Sequence, residues 1–330
     1  MPSPPDPLAL FHPAVQQWFR EKVGQPTPPQ VLGWPSIAAG DNTLILAPTG
    51  SGKTLAAFLA CLDKLWKEPR QGTGVQLLYI SPLKALNNDI FRNLHLPLIG
   101  VQQTAELRGE KLPNISIGLR TGDTTTQERR RQLCKPPDVL ITTPESLHLL
   151  LTSKGRDILG NVRWCIIDEI HVLCPNKRGV FLAILLERLQ QLTGNPGFVR
   201  IGLSATQRPL EEVARYLGGF SYSKEAGLVP RPVSIIDAGQ RKQLDLQVVS
   251  PVERFGALAE KSIWPSIYRY LHDQITTHQS TIIFANNRRS VERITTAINE
   301  VHEEMTAPLS PRGEGPGVRG IQLAAKPIIL

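Results

Sequence analysis

The chain has 330 residues, 41% of them hydrophobic, which is enough for one large domain or two ordinary domains with a buried core. No segment approaches the roughly 18 consecutive apolar residues of a membrane span, and the first residues lack the basic and apolar regions of a secretory signal, so we expect a cytoplasmic protein without a membrane partner. The 37 basic and 29 acidic residues give a net charge of +8, which suits a polyanionic partner such as nucleic acid but does not identify one.

Short β-rich segments alternate with amphipathic helical segments from about residue 40 to residue 235. This alternation is typical of parallel strands joined by crossover helices. The segments predicted to be strands are Thr43–Ala47, Val75–Ile80, Ile115–Leu119, Asp138–Thr142, Arg163–Ile167 and Val199–Leu203. After Lys53, apolar residues recur at helical spacing until Pro69 ends the run. The pattern predicts an α/β fold with a doubly wound parallel sheet, whose ligand site lies at the carboxyl ends of the strands.

The alternation is lost after residue 236, so we expect the first domain to span residues 1–236 and a connector to span residues 237–262. A second domain is predicted at residues 263–306. Residues 307–330 are expected to form a disordered tail, because seven of the thirteen residues at 308–320 are proline or glycine. The elements predicted in this half are strands at Leu244–Val249 and Thr281–Ala285 and helices at Ile267–Ile275 and Ser290–Glu303.

The strongest functional signal is the segment APTGSGKT, which extends from Ala47 to Thr54 between a predicted strand and a predicted helix. Its glycines allow backbone N–H groups to turn toward anionic phosphates, assisted by the positive end of the following helix. Lys53 is placed to reach the β- and γ-phosphates of ATP, and Thr54 to hold Mg²⁺ through its hydroxyl. The predicted ATP-binding residues of this loop are Thr49, Gly50, Ser51, Gly52, Lys53 and Thr54. The alternative is a glycine-rich turn with a chance lysine, and the general pattern begins with glycine where this chain has Ala47.

Two adjacent acids, Asp168 and Glu169, follow the apolar strand that ends at Ile167. A buried strand delivers Asp168 at its carboxyl end, where a carboxylate can orient Mg²⁺ and its waters. Glu169 is then placed to take a proton from the attacking water. On its own, this pattern is common where a strand runs into a solvated turn. Together with the phosphate loop, it predicts catalytic roles for Lys53, Asp168 and Glu169.

Three further polar segments follow predicted strands. Ser204 and Thr206 are expected near the nucleotide, where their hydroxyls can relay the state of the γ-phosphate. The segment TTPE at residues 142–145 is typical of a helix start, which can hold a nucleic-acid phosphate but is more commonly a simple cap. The segment SPLK at residues 81–84 combines a helix start with a cation and, in isolation, is an ordinary turn.

The four cysteines, Cys61, Cys134, Cys165 and Cys174, form no CxxC pair and have no histidines at zinc-ligand spacing. We therefore predict reduced cysteines that lie mostly in the core, rather than a zinc site or a disulfide framework.

The order of these segments resembles that of superfamily 2 DEAD/DEAH-type helicases. Motifs I, Ia, GD, Ib, II, III and IV of that superfamily are matched in turn by the phosphate loop, SPLKAL, RTGDT, TTPESL, DEIH, SATQ and IIFANNRR. A narrower resemblance, to the large helicase-related (Lhr) family, is carried by RTGDTTTQERRR, TTPESLHLLLTS, GLSATQRPLEEVARYLGG and SIWPSIY. It covers roughly residues 10–305. The resemblance implies RecA-like lobes, ATP and Mg²⁺ as cofactors, 3′ to 5′ translocation on single-stranded DNA, unwinding of duplex DNA or RNA–DNA hybrids, and a role in DNA repair.

The resemblance also assigns roles to particular residues. Gln30 matches the glutamine that reads adenine, and Phe19 is a candidate stacking partner; without the resemblance, Gln30 would be taken for a surface residue. His171 is implied to couple the nucleotide site to motif III, although an isolated histidine is more often a satisfied polar or core residue. Contacts with the nucleic-acid backbone are implied for Ser81, Lys84, Gly122, Thr143, Asn287 and Arg288. The cluster Arg129–Arg131 is more simply explained as a solvated helix face.

The resemblance does not extend to motifs V and VI, which carry arginines that stabilise charge on the transferred phosphoryl group and have no counterpart in the sequence. We therefore expect an incomplete second RecA-like lobe and a polypeptide that binds ATP but hydrolyses it poorly and does not unwind alone. Two alternatives remain open: a motor completed by a separately encoded C-terminal half, and a non-catalytic ATP-binding or DNA-binding remnant of a disrupted gene.

Overall fold

The computed structural model describes residues 6–68, 72–82, 84–194, 198–205, 209–239, 245–250 and 262–306. The chain divides into two compact units, residues 1–242 and 243–330. The described strands, all in the first unit, are β1 (Thr43–Leu46), β2 (Leu77–Ile80), β3 (Ile117–Arg120), β4 (Val139–Thr142), β5 (Trp164–Ile167), β6 (Val199–Ser204), β7 (Phe220–Ser223), β8 (Gly227–Pro230) and β9 (Ser234–Asp237).

The α-helices of the first unit are α1 (Pro13–Lys22), α2 (Pro28–Ala39), α3 (Lys53–Lys67), α4 (Lys84–Leu107), α5 (Thr126–Cys134), α6 (Pro144–Leu151), α7 (Ile170–Leu173), α8 (Lys177–Thr193) and α9 (Leu210–Gly218). Short 3-10 helices lie at Pro7–Leu10 and Lys154–Leu159. The second unit contains α10 (Trp264–Thr277) and α11 (Arg288–Thr306).

Seven strands form one sheet in the order β3-β4-β2-β5-β6-β1-β9, and every pairing in it is parallel. Successive side chains of a strand point to opposite faces, so a sheet covered on both faces needs apolar residues at nearly every position. Ile45 and Ile166 lie in one apolar layer, while Leu44 and Ile167 lie in the other. This arrangement confirms the predicted doubly wound parallel sheet.

The six strands predicted in the first domain are all present, with ends that differ by at most two residues. Pro69 was predicted to end the helix after Lys53, and α3 ends at Lys67. Three strands were missed. β7 and β8 form a separate antiparallel hairpin, and β9 pairs with β1 at the edge of the main sheet. These strands have only four residues each and are largely exposed, so they carry little apolar pattern.

Two predicted strands in the second half of the chain were wrong. Residues 245–249 form no strand, and Leu244 lies outside the described residues. Residues 281–285 are also not hydrogen-bonded as a strand, and Phe284 is 91% exposed. A strand requires a partner for its backbone groups, and the described part of the second unit offers none. The two helices predicted there are confirmed as α10 and α11.

Within the described residues, no helix is long and apolar enough to span a membrane. Cys61 and Cys165 are buried as predicted, Cys174 is half-buried, and Cys134 is exposed at the end of α5. The described residues contain no cluster of three potential metal-ligating side chains of the His, Cys, Asp and Glu types. The predicted tail at residues 307–330 lies outside the described residues.

Arg200 on β6 is a buried charged residue whose side chain joins the sheet to the helices α8 and α9. Its side chain is 1% exposed, and it donates to Glu187 Oε1 at 3.1 Å and to the backbone oxygen of Gly218 at 3.0 Å. Glu187 on α8 also accepts two hydrogen bonds from Arg231, at 2.7 and 2.8 Å. One carboxylate therefore serves two guanidinium groups at the entry to β9.

Glu187→Ala is expected to lower the free energy of unfolding by about 1–2 kcal/mol, because the buried guanidinium of Arg200 loses its carboxylate partner. Because Glu187 is partly exposed, solvent screens the ion pair, and the loss of stability stays near the lower end of that range. Urea unfolding followed by tryptophan fluorescence measures it. The matched control is Glu212→Ala, which breaks an exposed pair with Arg215 and should change stability by less than about 0.5 kcal/mol. Equal losses in the two variants would contradict a special role for Glu187.

Candidate nucleotide site

The phosphate loop joins β1 to α3 at the carboxyl edge of the sheet. Gly50 and Gly52 have φ angles of +79° and +85°, in the left-handed region that favours glycine. A Cβ on Gly52 would lie 2.8 Å from Nε2 of Gln30, so a side chain at this position would displace the Gln30 amide. Both glycines are therefore required by the backbone path, and Gly52 is the N-cap of α3.

Polar side chains of this loop lack a hydrogen-bond partner within the described part of the chain. Lys53 is only 4% exposed, and no described residue accepts a hydrogen bond from its ammonium group. The buried hydroxyl of Ser51 also lacks a partner among the described residues. Buried polar groups are normally hydrogen-bonded, so these donors suit an external anion. The phosphates of ATP fit this requirement, and the half-buried hydroxyl of Thr54 follows on the first turn of α3.

Gln30 lies beside the phosphate loop. It is buried on the first turn of α2, accepts a hydrogen bond from the N–H of Thr27 at 2.9 Å and donates to the backbone oxygen of Gly52 at 3.4 Å. Residue type alone suggested a surface position, and that interpretation was wrong. The adenine-reading role stays a prediction. Phe19 is fully buried and packs edge to face against Trp34, with ring centroids 5.5 Å apart, so it is not available to stack on a base in this structure.

The acidic pair lies at the same edge of the sheet as the phosphate loop. β5, which precedes Asp168, and β1, which precedes the loop, are both neighbours of β6. Two strand spacings place them about 10 Å apart, a separation that a magnesium-bound triphosphate can bridge. Asp168 is 4% exposed and accepts hydrogen bonds from the hydroxyl of Tyr79 and from the N–H of Glu169. Burial raises the pKa of Asp168, and the hydrogen bond from Tyr79 opposes that rise.

Glu169 is the one non-glycine residue in the described chain with a positive φ angle, +47°. Such a conformation costs of order 1 kcal/mol and is characteristic of functional sites. His171 Nδ1 lies 3.3 Å from the Glu169 carboxylate and 3.3 Å from the backbone nitrogen of Ala205. That nitrogen atom can accept from Ala205 or, when protonated, donate to Glu169, but it cannot do both at once. His171 therefore contacts both segments that it was predicted to couple.

Ser204 ends β6, directly opposite Leu46, the last residue of β1 before the phosphate loop. Its hydroxyl is fully buried and has no partner among the described residues. Its role in sensing the nucleotide stays a prediction. Thr206, predicted to share that role, lies outside the described residues.

The predicted nucleic-acid contacts in the first unit are less available than the sequence suggested. Ser81 is fully buried at the end of β2, and Thr143 is nearly so. The Thr143 hydroxyl accepts a hydrogen bond from the N–H of Ser146 at 3.3 Å, which is the simple capping role. Gly122 is exposed on the loop after β3. Lys84 begins α4, and its side chain lies outside the described atoms.

The other two predicted contacts lie in the second unit. Asn287 Oδ1 accepts from the N–H of Ser290 at 2.9 Å and so caps α11. The side chain of Arg288 is 93% exposed and lies 3.4 Å from Glu292. Its guanidinium is therefore accessible to a phosphate, whereas Asn287 is engaged with the helix start.

The interpretation of Arg129–Arg131 as a solvated helix face holds for two of its three residues. Arg130 and Arg131 are exposed on α5. Arg129 instead donates to the backbone oxygens of Thr121 and Gly122, both at 3.1 Å. It therefore holds the loop that resembles motif GD.

Two residues of the site were missed by sequence reasoning. Arg178 on α8 donates to Glu145 at 2.8 Å and to the backbone oxygen of Pro82 at 3.1 Å, which joins the segments following β2 and β4. No local pattern marks this residue. Tyr79 donates to Asp168, and the available signal was a phenol within an otherwise apolar strand, since a buried tyrosine hydroxyl usually has a partner.

A parallel sheet with a phosphate loop after its first strand and an acidic pair after a nearby strand defines a phosphate-loop nucleoside triphosphatase. The family model described as DEAD/DEAH box helicase matches residues 27–213. The chain belongs to this family.

Similar proteins narrow the relationship. Over 318 residues, the chain is 47% identical to the Lhr helicase/probable uracil glycosylase of Mycolicibacterium smegmatis, a match that covers 96% of this chain and 20% of that protein. It is 46% identical over 305 residues to the ATP-dependent helicase Lhr-Core of Sulfolobus acidocaldarius, covering 91% of this chain and 33% of that protein. A solved structure of Mycobacterium smegmatis helicase Lhr bound to ssDNA and AMP-PNP matches with a TM-score of 0.74 and 46% identity, over 93% of this chain and 38% of that one.

These findings confirm the resemblance to Lhr helicases and the RecA-like fold of the first unit. The chain spans between a fifth and a third of the length of these two curated relatives.

Proposed function

We propose that this chain forms the ATP-binding part of an ATP-dependent helicase or translocase of the Lhr type, acting on DNA in the 3′ to 5′ direction and serving DNA repair. The observation that carries the proposal is a group of polar side chains at one edge of the sheet. They are the Ser51 and Ser204 hydroxyls, which are buried and have no partner among the described residues, and the side chain of Lys53, which is largely buried. The acidic pair Asp168 and Glu169 follows β5 at the same edge. A triphosphate with its metal ion matches this combination of charges.

In this proposal each group of the site has one task. Lys53 and the loop N–H groups bind the β- and γ-phosphates, while Thr54 and Asp168 hold Mg²⁺, the latter through water. Glu169 accepts the proton of the attacking water. Gln30 reads the adenine. His171, Ser204 and Thr206 transmit the state of the γ-phosphate to the nucleic-acid side.

The proposed nucleic-acid partner is single-stranded or duplex DNA or an RNA–DNA hybrid. The relative that matches at a TM-score of 0.74 was solved with ssDNA, and the present chain carries a net charge of +8. The proposed contacts are Ser81, Lys84, Gly122, Thr143, Asn287 and Arg288. Because they address the backbone, they give affinity without sequence preference.

Binding of single-stranded DNA is expected to weaken steeply with salt, with a slope of log K against log salt of about −0.7 for each phosphate neutralised. Arg288→Ala should make this slope shallower by about one contact, because its exposed guanidinium is a proposed phosphate ligand. Fluorescence anisotropy of a labelled oligothymidine over a series of salt concentrations measures both quantities. Arg156→Ala is the matched control, since Arg156 is also exposed and lies near an acid, at 3.8 Å from Asp157. Salt-independent binding, or the same slope change in both variants, would contradict the proposal.

A second candidate is a non-catalytic ATP-binding or DNA-binding protein of the same fold, which would share the nucleotide site and show no turnover. Stimulation of ATP turnover by single-stranded DNA distinguishes the two candidates.

A further inference from the structure

Tyr79 places a polar group inside an otherwise apolar strand. β2 reads Leu-Leu-Tyr-Ile, every residue of it is buried, and Tyr79 is 0% exposed. A tyrosine hydroxyl in a protein interior requires a hydrogen-bond partner, since an unpaired buried hydroxyl is unfavourable. Its partner is Asp168 Oδ2, on the neighbouring strand end after β5.

The ring of Tyr79 is held by packing rather than by a loop. It stacks on Phe58 with ring centroids 4.8 Å apart and an interplanar angle of 23°. Phe58 lies on α3, the helix that begins with Lys53, and both rings belong to the same apolar layer. The position of the hydroxyl is therefore tied to the helix that presents the phosphate loop.

The carboxylate of Asp168 is fixed from two sides. Oδ2 accepts from Tyr79, and Oδ1 accepts from the N–H of Glu169 at 3.0 Å. Two donors on different oxygens prevent rotation of the carboxylate about its Cβ–Cγ bond. Each oxygen has two lone pairs, so both remain able to accept a further hydrogen bond from metal-bound water.

We propose that Tyr79 is a positioning residue for the metal-nucleotide complex. Its hydroxyl fixes the orientation of the Asp168 carboxylate, which would hold Mg²⁺ through its waters. The inference rests on the proposed function. Groups that orient a metal-site carboxylate contribute to metal binding without touching the ion, and their removal typically costs about 10- to 100-fold in metal affinity or activity.

The test compares Tyr79→Phe with the parent chain in binding of mant-ATP at varied MgCl₂. The variant keeps the stacked ring and removes the hydroxyl. We expect the Mg²⁺ concentration for half-maximal binding to rise about 10-fold, while binding of mant-ATP in EDTA and the cooperativity of thermal unfolding stay unchanged. The matched control is Tyr216→Phe, which removes a phenol hydroxyl that donates to the backbone oxygen of Gly179 at 2.8 Å. It should leave the Mg²⁺ dependence as in the parent.

The outcomes separate this inference from the proposed function. If the parent chain binds no mant-ATP at any Mg²⁺ concentration, the proposed function fails and the inference with it. If the parent binds and Tyr79→Phe shows the parent's Mg²⁺ dependence, the inference alone is overturned. If Tyr79→Phe does not fold cooperatively, Phe58→Leu takes its place, because it loosens the ring and keeps the hydroxyl. A smaller rise in the Mg²⁺ requirement of that variant supports the positioning role, and no rise overturns it.

Discussion

Replacing Lys53 by alanine is expected to abolish measurable binding of Mg·ATP. Lys53 is buried at the start of α3, and no described residue accepts a hydrogen bond from its ammonium group, so its charge is available to an anionic ligand. A hydrogen bond between charged groups contributes about 1.5–3 kcal/mol, and the β- and γ-phosphates would share this cation. The expected loss is therefore at least about 100-fold in affinity, or roughly 2.7 kcal/mol. Isothermal titration calorimetry with Mg·ATP measures it.

The control for this experiment is Glu169→Gln, which preserves size and removes the proton acceptor. It should bind Mg·ATP within about twofold of the parent, because a group that acts on the attacking water contributes little to ground-state binding. The combination of lost binding in one variant and retained binding in the other is specific to a phosphate loop facing a catalytic acid. If both variants bind ATP like the parent, the phosphate-loop assignment is wrong.

The sheet could be predicted because it is covered on both faces. Strands such as Leu77–Ile80 and Trp164–Ile167 are then apolar at almost every position, and turn residues or acids mark their ends. The phosphate loop was equally readable, since its glycines serve a local backbone requirement at Gly50 and Gly52. A local structural requirement can be read from a sequence where only one residue type satisfies that requirement.

The features of the fold and of the site that were not predicted depend on residues that are distant in sequence. β9 exists because its backbone pairs with β1, and its own side chains give little indication of that pairing. Residues 281–285 have the composition of a strand but no strand partner in the described second unit. Arg178 serves two helix starts that lie about 33 and 96 positions away along the chain, which no window of sequence brings together. Each of these features follows from tertiary contacts alone.

Among the predicted nucleic-acid contacts, a sequence pattern can suggest a function where the local structure alone explains it. A threonine such as Thr143 is a common residue both at helix caps and at phosphate contacts. In the structure, the Thr143 hydroxyl caps the helix α6. A residue that satisfies a local requirement can still resemble a functional motif. Side-chain exposure resolves this ambiguity. The exposed Arg288 is a better candidate for a nucleic-acid contact than the buried Ser81 or Thr143.

A polypeptide of these 330 residues is expected to turn over ATP at least about 10³-fold more slowly than a relative with two complete lobes. Lys53 is the cation that the described site offers to the phosphates, and the sequence has no counterpart of the arginines in motifs V and VI. In related phosphoryl-transfer enzymes, such an arginine is worth about 10³- to 10⁵-fold in rate. A steady-state ATPase assay with and without oligothymidine measures the turnover, with Glu169→Gln as the background.

The expected pattern is a split between binding and rate. Arginines of this kind stabilise charge that develops only as the phosphoryl group is transferred, so their absence lowers kcat and leaves the affinity for Mg·ATP nearly unchanged. A misfolded or incomplete phosphate site would instead lower both. Tight Mg·ATP binding with turnover at the Glu169→Gln background therefore indicates an assembled ground-state site without its transition-state cations. Robust turnover stimulated by single-stranded DNA would show that the chain obtains those cations elsewhere, and the second candidate function would be rejected.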